Sequence, residues 1–503
     1  MGSLKKLASQ TVWYGVSNIA ARLLTYVLTP YFTYTLVGVA GQVEYGLYTY
    51  IYSILPFLNI VYSYGMETTF FRFSNTEDKQ ELYSTQVTSV LLTTLLFTAS
   101  IIMLQTPIAG FLDLGNHVEY VVWIAAILGL DALSALPYAR LRQENRPRKY
   151  AFTKVAGIIL FVGTVMFLFS MGEGIAQRNP EGWFAEFYNK YWGLGFILFA
   201  NVLQALFTLL LLSSELLKFK PIINKGVYKR VLKYGLPILI TGLAGTANEQ
   251  LSIPIFKKIY PATKEETTIQ LGYFGATLKL AIMIKLAIQA FRLAGEPFFF
   301  SIAQEKDAKY TYARVMKWFV VVMAFMFLNV ALFIDLWQYF ISPEYRVALD
   351  LVPVLLLSFV FLGIYNNLNI WFKLTDKTMY GTYIAIIGTA VTIAFNFALI
   401  PYWGYAACAW GMLLCYGVMM MLSYLWGQKH YPIPYSLTTI GKYIGMMLLL
   451  FFIQALLRNY VLTDSMVLRI VSGLILFVLY VLFIVRSEKE ELTRIPIIGK
   501  YIK

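Results

Sequence analysis

Runs of about 20 apolar residues recur along the whole chain, each long enough to cross about 30 Å of hydrocarbon as a helix. In lipid the backbone must satisfy its own hydrogen bonds, so only helices and closed barrels span a bilayer. A barrel would show alternating segments of about 10 residues instead. The sequence therefore reads as an all-α, multi-pass membrane protein. Hydropathy predicts about 14 spans, near 10–36, 46–73, 81–107, 118–140, 150–170, 191–217, 230–256, 269–300, 315–340, 347–372, 379–400, 404–427, 438–458 and 466–485. The longest outer loop, 171–190, has about 20 residues, too few for a soluble domain.

An even number of spans puts both termini on one side. With the termini inside, inner segments such as "RLRQENRPRK" (140–149) and "KFKPIINKGVYKRVLK" (218–233) bring the inner total to about 28 Lys and Arg, against about 7 in outer loops. Both termini are expected to be cytoplasmic. The net charge of +14 is then a topology signal, and no nucleic-acid partner is needed to explain it. The start "MGSLKKLASQTVWYGV" shows no cleavage site for a signal peptide. Lys6 breaks the myristoylation pattern.

An internal repeat is visible. "GMETTFFRFS" (65–74) resembles "GEPFFFS" (295–301), and "WYGV" (13–16) resembles "KYGL" (233–236), at similar offsets. This predicts two six-span halves, 1–217 and 218–430, related by an axis along the membrane normal, with 431–503 adding two further spans and a tail.

The charges inside spans carry the functional signal. A charge at the bilayer centre costs about 2.5–3.5 kcal/mol on insertion scales, so Lys279, Lys285 and Arg292 facing lipid together would cost about 8–10 kcal/mol. They must meet water, pair or snorkel. Lys285, Gln289, Arg292 and Glu296 step by 4, 3 and 4 and form one polar stripe, with Lys279 about a third of a turn away. Similar stripes are Thr11, Asn18, Arg22, Thr25 and Thr29 in the first span, and Asn59, Ser63 and Glu67 in the second. The seventh has Thr241, Gly245, Asn248 and Ser252 with Glu249 beside them; the tenth has Asn366, Asn369 and Lys373; the fourth has Asp131 and Ser134. The stripes concentrate in corresponding spans of the two halves, where a central cavity would be lined.

Each feature also has a structural reading. Arg292 and Glu296 are an i,i+4 pair that would neutralise itself. Glu67 and Arg72 would form an interfacial ion pair, Arg22 a clamp on backbone carbonyls, and Asp131 part of a buried polar network. Lys285 has no acid at i±3 or i±4, which favours a cavity role. Prolines such as Pro56, Pro237 and Pro297 permit kinks that suit either a gate or static packing.

Cys408 and Cys415 lie seven apart on one helix, too far to bond, and two separated histidines give no metal spacing. No P-loop, nucleotide-binding glycine fingerprint, HExxH or GxSxG occurs, so no cofactor and no catalytic residue set is implied.

The stretches "LDALSALPYARLRQENRPRKY" (130–150), "GMETTFFRF" (65–73), "LKYGLPILITGLAG" (232–245) and "LGYFGATLKLAIMIKLAIQAFRLAGEPFFFS" (271–301) resemble Wzx-type polysaccharide flippases of the multidrug/oligosaccharidyl-lipid/polysaccharide exporter superfamily. The resemblance covers nearly the whole chain through diffuse motifs. It implies two six-helix bundles around a central cavity plus two extra helices. It also implies a transporter of a bacterial inner membrane, not an enzyme, acting as a monomer on an undecaprenyl-pyrophosphate-linked oligosaccharide for O-antigen or capsule. The lipid II flippases of the superfamily have a first-span signature not found here, and its drug exporters usually stop at twelve spans. In this reading Arg22, Lys285 and Arg292 serve the anionic headgroup. Glu67, Asp131, Glu249, Glu296, Asn18 and Gln289 form the cavity network, where a carboxylate takes a coupling proton or sodium. A cation-coupled small-molecule exporter on the same fold and a membrane glycan polymerase or ligase remain as alternatives.

Overall fold

The computed structural model describes residues 20, 22–463 and 465–493. Among these there is no strand; every regular element is helical. Eleven helices are long and apolar enough to cross a membrane. The other three of the fourteen expected spans are α1 (22–35), α2 (Gly38–Ser63) and α10 (Lys225–Gln250). α2 carries five tyrosines and α10 begins with a basic turn, which lowers their apolar character.

The chain divides into two compact units, residues 1–275 with 392–408, and 276–391 with 409–503. In the first unit α1 and α2 are followed by α3 (Met66–Phe73), α4 (Lys79–Met103), α5 (Gln105–Phe111), α6 (Glu119–Gln143), α7 (Pro147–Arg178), α8 (Trp183–Tyr191) and α9 (Leu194–Leu216). Next come α10, α11 (Ser252–Ile259) and the start of α12 (Lys264–Ser301). Local chemistry sets the boundaries. Asp78 caps α4 through the Glu81 amide at 2.8 Å, and Asn224 caps α10 through Gly226 at 2.8 Å. Pro147 opens α7, where its missing N–H costs nothing.

Two boundaries depart from expectation. The stretch 38–45, expected as an outer loop, is helical, because the turn after α1 is very tight. Gly38 takes a φ of 71°, and a Cβ on Gly41 would overlap the Leu36 backbone. The second expected span breaks in two where Tyr64 and Gly65 take φ of 30° and 75°.

α6 is the centre of this unit, packed on α4, α9 and α2, while α7 packs on α9. α2 crosses the start of α12 at backbone distance: a Cβ on Gly46 would overlap the Thr268 carbonyl, and one on Gly275 the Thr49 hydroxyl. Small residues are what such a close crossing in lipid requires. At the C-terminal end of α9 Glu215 is buried and takes Arg146 at 2.5 Å, Lys218 at 2.7 Å and Lys149 at 3.0 Å.

The second unit contains the rest of α12, α13 (Ala308–Leu332), α14 (Ile334–Trp337), α15 (Val352–Leu368) and α16 (Ile370–Leu374). It also contains the first half of α17 (Met379–Trp403), most of α18 (Tyr405–His430), and α19 (Leu437–Leu456), α20 (Met466–Ser487) and α21 (Lys489–Thr493). α19 and α20 pack on α13. Charges pin them at both ends. Lys317 of α13 meets Glu488 at 2.6 Å and Glu491 at 2.8 Å, and Trp318 donates to Glu491 at 2.9 Å. At the opposite end Asp335 lies between Arg458 at 3.6 Å and Arg469 at 3.7 Å.

Candidate functional site

In the first unit, four helices turn polar stripes toward one another. α2 supplies Asn59 and Ser63, α6 supplies Asp131, Ser134 and Tyr138, α7 supplies Tyr150 and Lys154, and α9 supplies Gln204 and Thr208; α3 adds Glu67. Within each helix these residues step by three or four, so each set shares a face. Together they line a cavity of about 360 Å³. Tyr138 and Tyr150 meet edge-on at 5.1 Å, and the Lys154 ammonium lies 5.3 Å from the Tyr138 ring centre. Among the described residues Asp131 makes no ion pair within 4 Å. The structure thus unites Asp131, Ser134, Asn59, Ser63 and Glu67, which the sequence placed on separate stripes. Lys154 was missed, although a single lysine in an otherwise apolar span is itself a signal.

Glu67 does not pair with Arg72. It forms an ion pair with Arg142 of α6, and Arg72 instead lies 5.6 Å from the Tyr234 ring centre. The reason is geometric: five residues along a helix turn about 140° away, so the two side chains leave on different faces.

In the second unit the stripe of α12 is intact. Lys285, Gln289 and Glu296 are half-buried and Arg292 is exposed. Arg292 and Glu296, with Phe291, Phe299, Asn366, Ile370 and Lys373, line a small cavity. The expected Arg292–Glu296 pair is not formed. Glu296 Oε1 accepts from Lys373 Nζ at 2.5 Å, and among the described residues Arg292 has no ion pair. Lys373 is delivered by α16, whose start is tied to α18. Trp371 Nε1 donates to the Ser423 carbonyl at 3.1 Å, and Ser423 Oγ donates to Asn369 Oδ1 at 3.2 Å. Trp371 is buried, and Lys373, two residues on, leaves from nearly the opposite face of the helix.

Arg22 is exposed on α1 and Glu249 half-buried on α10, both in the first unit. Asn18 lies outside the described residues. No group of three or more potential ligands is placed to hold a metal among the described residues.

A further charged cluster joins α5 to α11 and α12. Asp113, in the loop after α5, meets Lys264 at 2.6 Å, Lys258 at 3.7 Å and Lys257 at 3.9 Å. Lys257 is buried and also donates to Thr268 Oγ1, and the Lys258 ammonium sits 4.3 Å from the Phe111 ring centre. Burial alone would raise the Asp113 carboxyl; the bond from Lys264 and the charges of Lys258 and Lys257 outweigh it and hold the group below its ordinary value.

Residues 7–302, more than half of the chain, match a family of sequences described as polysaccharide biosynthesis proteins. No curated protein matches the chain. The fold is similar to a solved structure described as lipid II flippase MurJ in an inward closed conformation, with a TM-score of 0.68, 14% identity, and coverage of 95% of this chain and 99% of that one. It is also similar to an inward-facing multidrug resistance transporter of the MATE family, of the MOP superfamily, at TM-score 0.61, 15% identity and coverage of 84% and 94%. A point mutant of the Vibrio cholerae MATE transporter VcmN matches at TM-score 0.52, 12% identity and coverage of 84% and 96%.

Proposed function

The chain belongs to the polysaccharide biosynthesis protein family and has the fold of solved multi-pass flippases and exporters, and from that premise we propose that it moves a lipid-linked oligosaccharide across a bacterial inner membrane by alternating access. In this reading both termini are cytoplasmic, a monomer suffices, and the glycan serves O-antigen or capsule assembly. The observation that carries the proposal is Arg292: a guanidinium on a membrane-spanning helix, exposed, with no ion pair among the described residues.

A pyrophosphate is a multiply charged anion that hydrocarbon rejects. A path for it needs cations that are not already neutralised. Arg292 meets that condition among the described residues; Lys285, on the same helix stripe, and Arg22, on α1 of the first unit, are the further cations assigned to the headgroup in this reading. The planar guanidinium suits two phosphate oxygens at once. Glu67 and Glu296 already hold cations, and Asp131, in its polar cavity with Lys154 and with no ion pair among the described residues, is the better seat for a coupling proton or sodium.

The test is surface glycan display at matched protein levels. Arg292→Ala should lose display while lipid-linked glycan accumulates on the inner leaflet; Arg292→Lys should retain part of it. Full display by Arg292→Ala removes the residue from the mechanism. The similarity to MATE structures favours one second reading, a cation-coupled exporter of small molecules. Loss of export with no glycan accumulation would support that reading instead.

A further inference from the structure

Arg292 and Glu296 stand one helical turn apart on α12, the spacing at which an arginine and a glutamate ordinarily find each other. The walls of their cavity are largely apolar, formed by Phe291, Phe299 and Ile370, so an ion pair there is less screened than one in bulk water. An Arg292–Glu296 pair would neutralise the cation that the proposed substrate needs. Instead Glu296 is held by Lys373 at 2.5 Å, from a residue 77 positions away in sequence. The lysine is aimed by a rigid mount, the buried Trp371 and the Asn369–Ser423 bond, both anchored on α18.

We infer that Lys373 is a positioning residue for anion recognition: it sequesters Glu296 and so keeps the Arg292 charge available for the pyrophosphate. The inference rests on the reading of Arg292 given above. It assigns Lys373 a role different from direct binding. The triad of Arg292, Lys373 and Glu296 has a net charge of +1, and Lys373 serves to place that charge on the arginine. If Lys373 itself bound the anion, its loss would matter whatever stood at position 296. If it only sequesters Glu296, its loss matters only while Glu296 carries a charge.

The experiment is a double-mutant cycle on surface glycan export at matched membrane levels of the full chain, with Arg292→Ala as reference. Lys373→Ala should reduce export about fivefold or more in the wild-type background, and change it less than about twofold in the Glu296→Gln background. Lys373→Arg, which keeps a cation for Glu296, should export well above Lys373→Ala. Equal losses in both backgrounds would overturn the inference and make Lys373 a direct ligand or a structural support. No loss in either background would also overturn it, because Glu296 would then not compete for Arg292. Full export by Arg292→Ala defeats the underlying reading, and the inference with it. Loss by Arg292→Ala with additive or neutral Lys373 variants defeats the inference alone.

Discussion

Asp113 Oδ1 lies 2.6 Å from Lys264 Nζ, a bond that ties the loop after α5 to the first residue of α12 across 151 positions of sequence. Because Asp113 titrates below its ordinary value, the bond stabilises the fold at pH values above the unfolded carboxyl's pKa of about 3.9, and that stability is lost as pH falls through the lower folded value. Asp113→Asn should lower stability by about 1–2 kcal/mol near neutrality. Thermal unfolding in detergent should show the gap between wild type and variant closing below about pH 4. A gap unchanged by acid would show that the carboxylate charge is not what matters.

The α2–α12 crossing is sterically closed. Gly46→Ala would drive a methyl group into the Thr268 carbonyl, a backbone atom that cannot step aside. Overpacking of this kind costs about 1–3 kcal/mol or more, and folded yield should fall accordingly. Gly245→Ala is the control, since nothing lies within 4 Å of a Cβ built there. Equal folded yields for the two, read by size-exclusion chromatography, would contradict the crossing.

The C-terminal helix pair hangs on Lys317. Its removal leaves the buried Glu488 and the half-buried Glu491 with one cation fewer between them. Lys317→Ala should destabilise the protein by about 2–3 kcal/mol, less than for a fully buried pair because the network is partly solvated. Glu488→Gln in the same chain should recover part of the loss. Protease sensitivity between α18 and α19, compared with wild type, reports the loosening directly.

Asp131 shares its cavity with Lys154, and neither has a close ion partner among the described residues. If Asp131 takes the coupling ion, Asp131→Asn should reduce export about tenfold and remove its sensitivity to the ion gradient. Substrate binding should be far less affected. A gradient dependence identical to wild type would move the coupling site elsewhere, with Glu249 the next residue to change.

Much of this was legible in the sequence, and what was not has a physical reason. The helical type of the elements, and eleven of the fourteen expected spans, follow from apolar runs long enough for a bilayer. The α12 stripe of Lys285, Gln289, Arg292 and Glu296 follows from helical periodicity, which fixes a face without any tertiary information. Partners are a different matter. Arg292–Glu296 and Glu67–Arg72 were the natural local pairs. Glu296 and Glu67 went instead to Lys373 and Arg142, which neighbouring helices bring close. The Asp131 cavity needed Gln204 and Thr208 of α9, whose spacing is unremarkable until α6 and α7 face them. The helical start of α2 was hidden because a glycine-rich stretch reads as a loop unless the tight turn before it is known.

Arg292, with no ion pair among the described residues, is proposed to carry an anionic, lipid-linked substrate through the membrane. The most direct measurement is translocation of a prenyl-pyrophosphate-linked oligosaccharide in proteoliposomes containing purified protein. Arg292→Ala should slow translocation at least about tenfold while Arg292→Lys keeps a measurable fraction. Wild-type rates for Arg292→Ala, in protein shown to be folded, would contradict it.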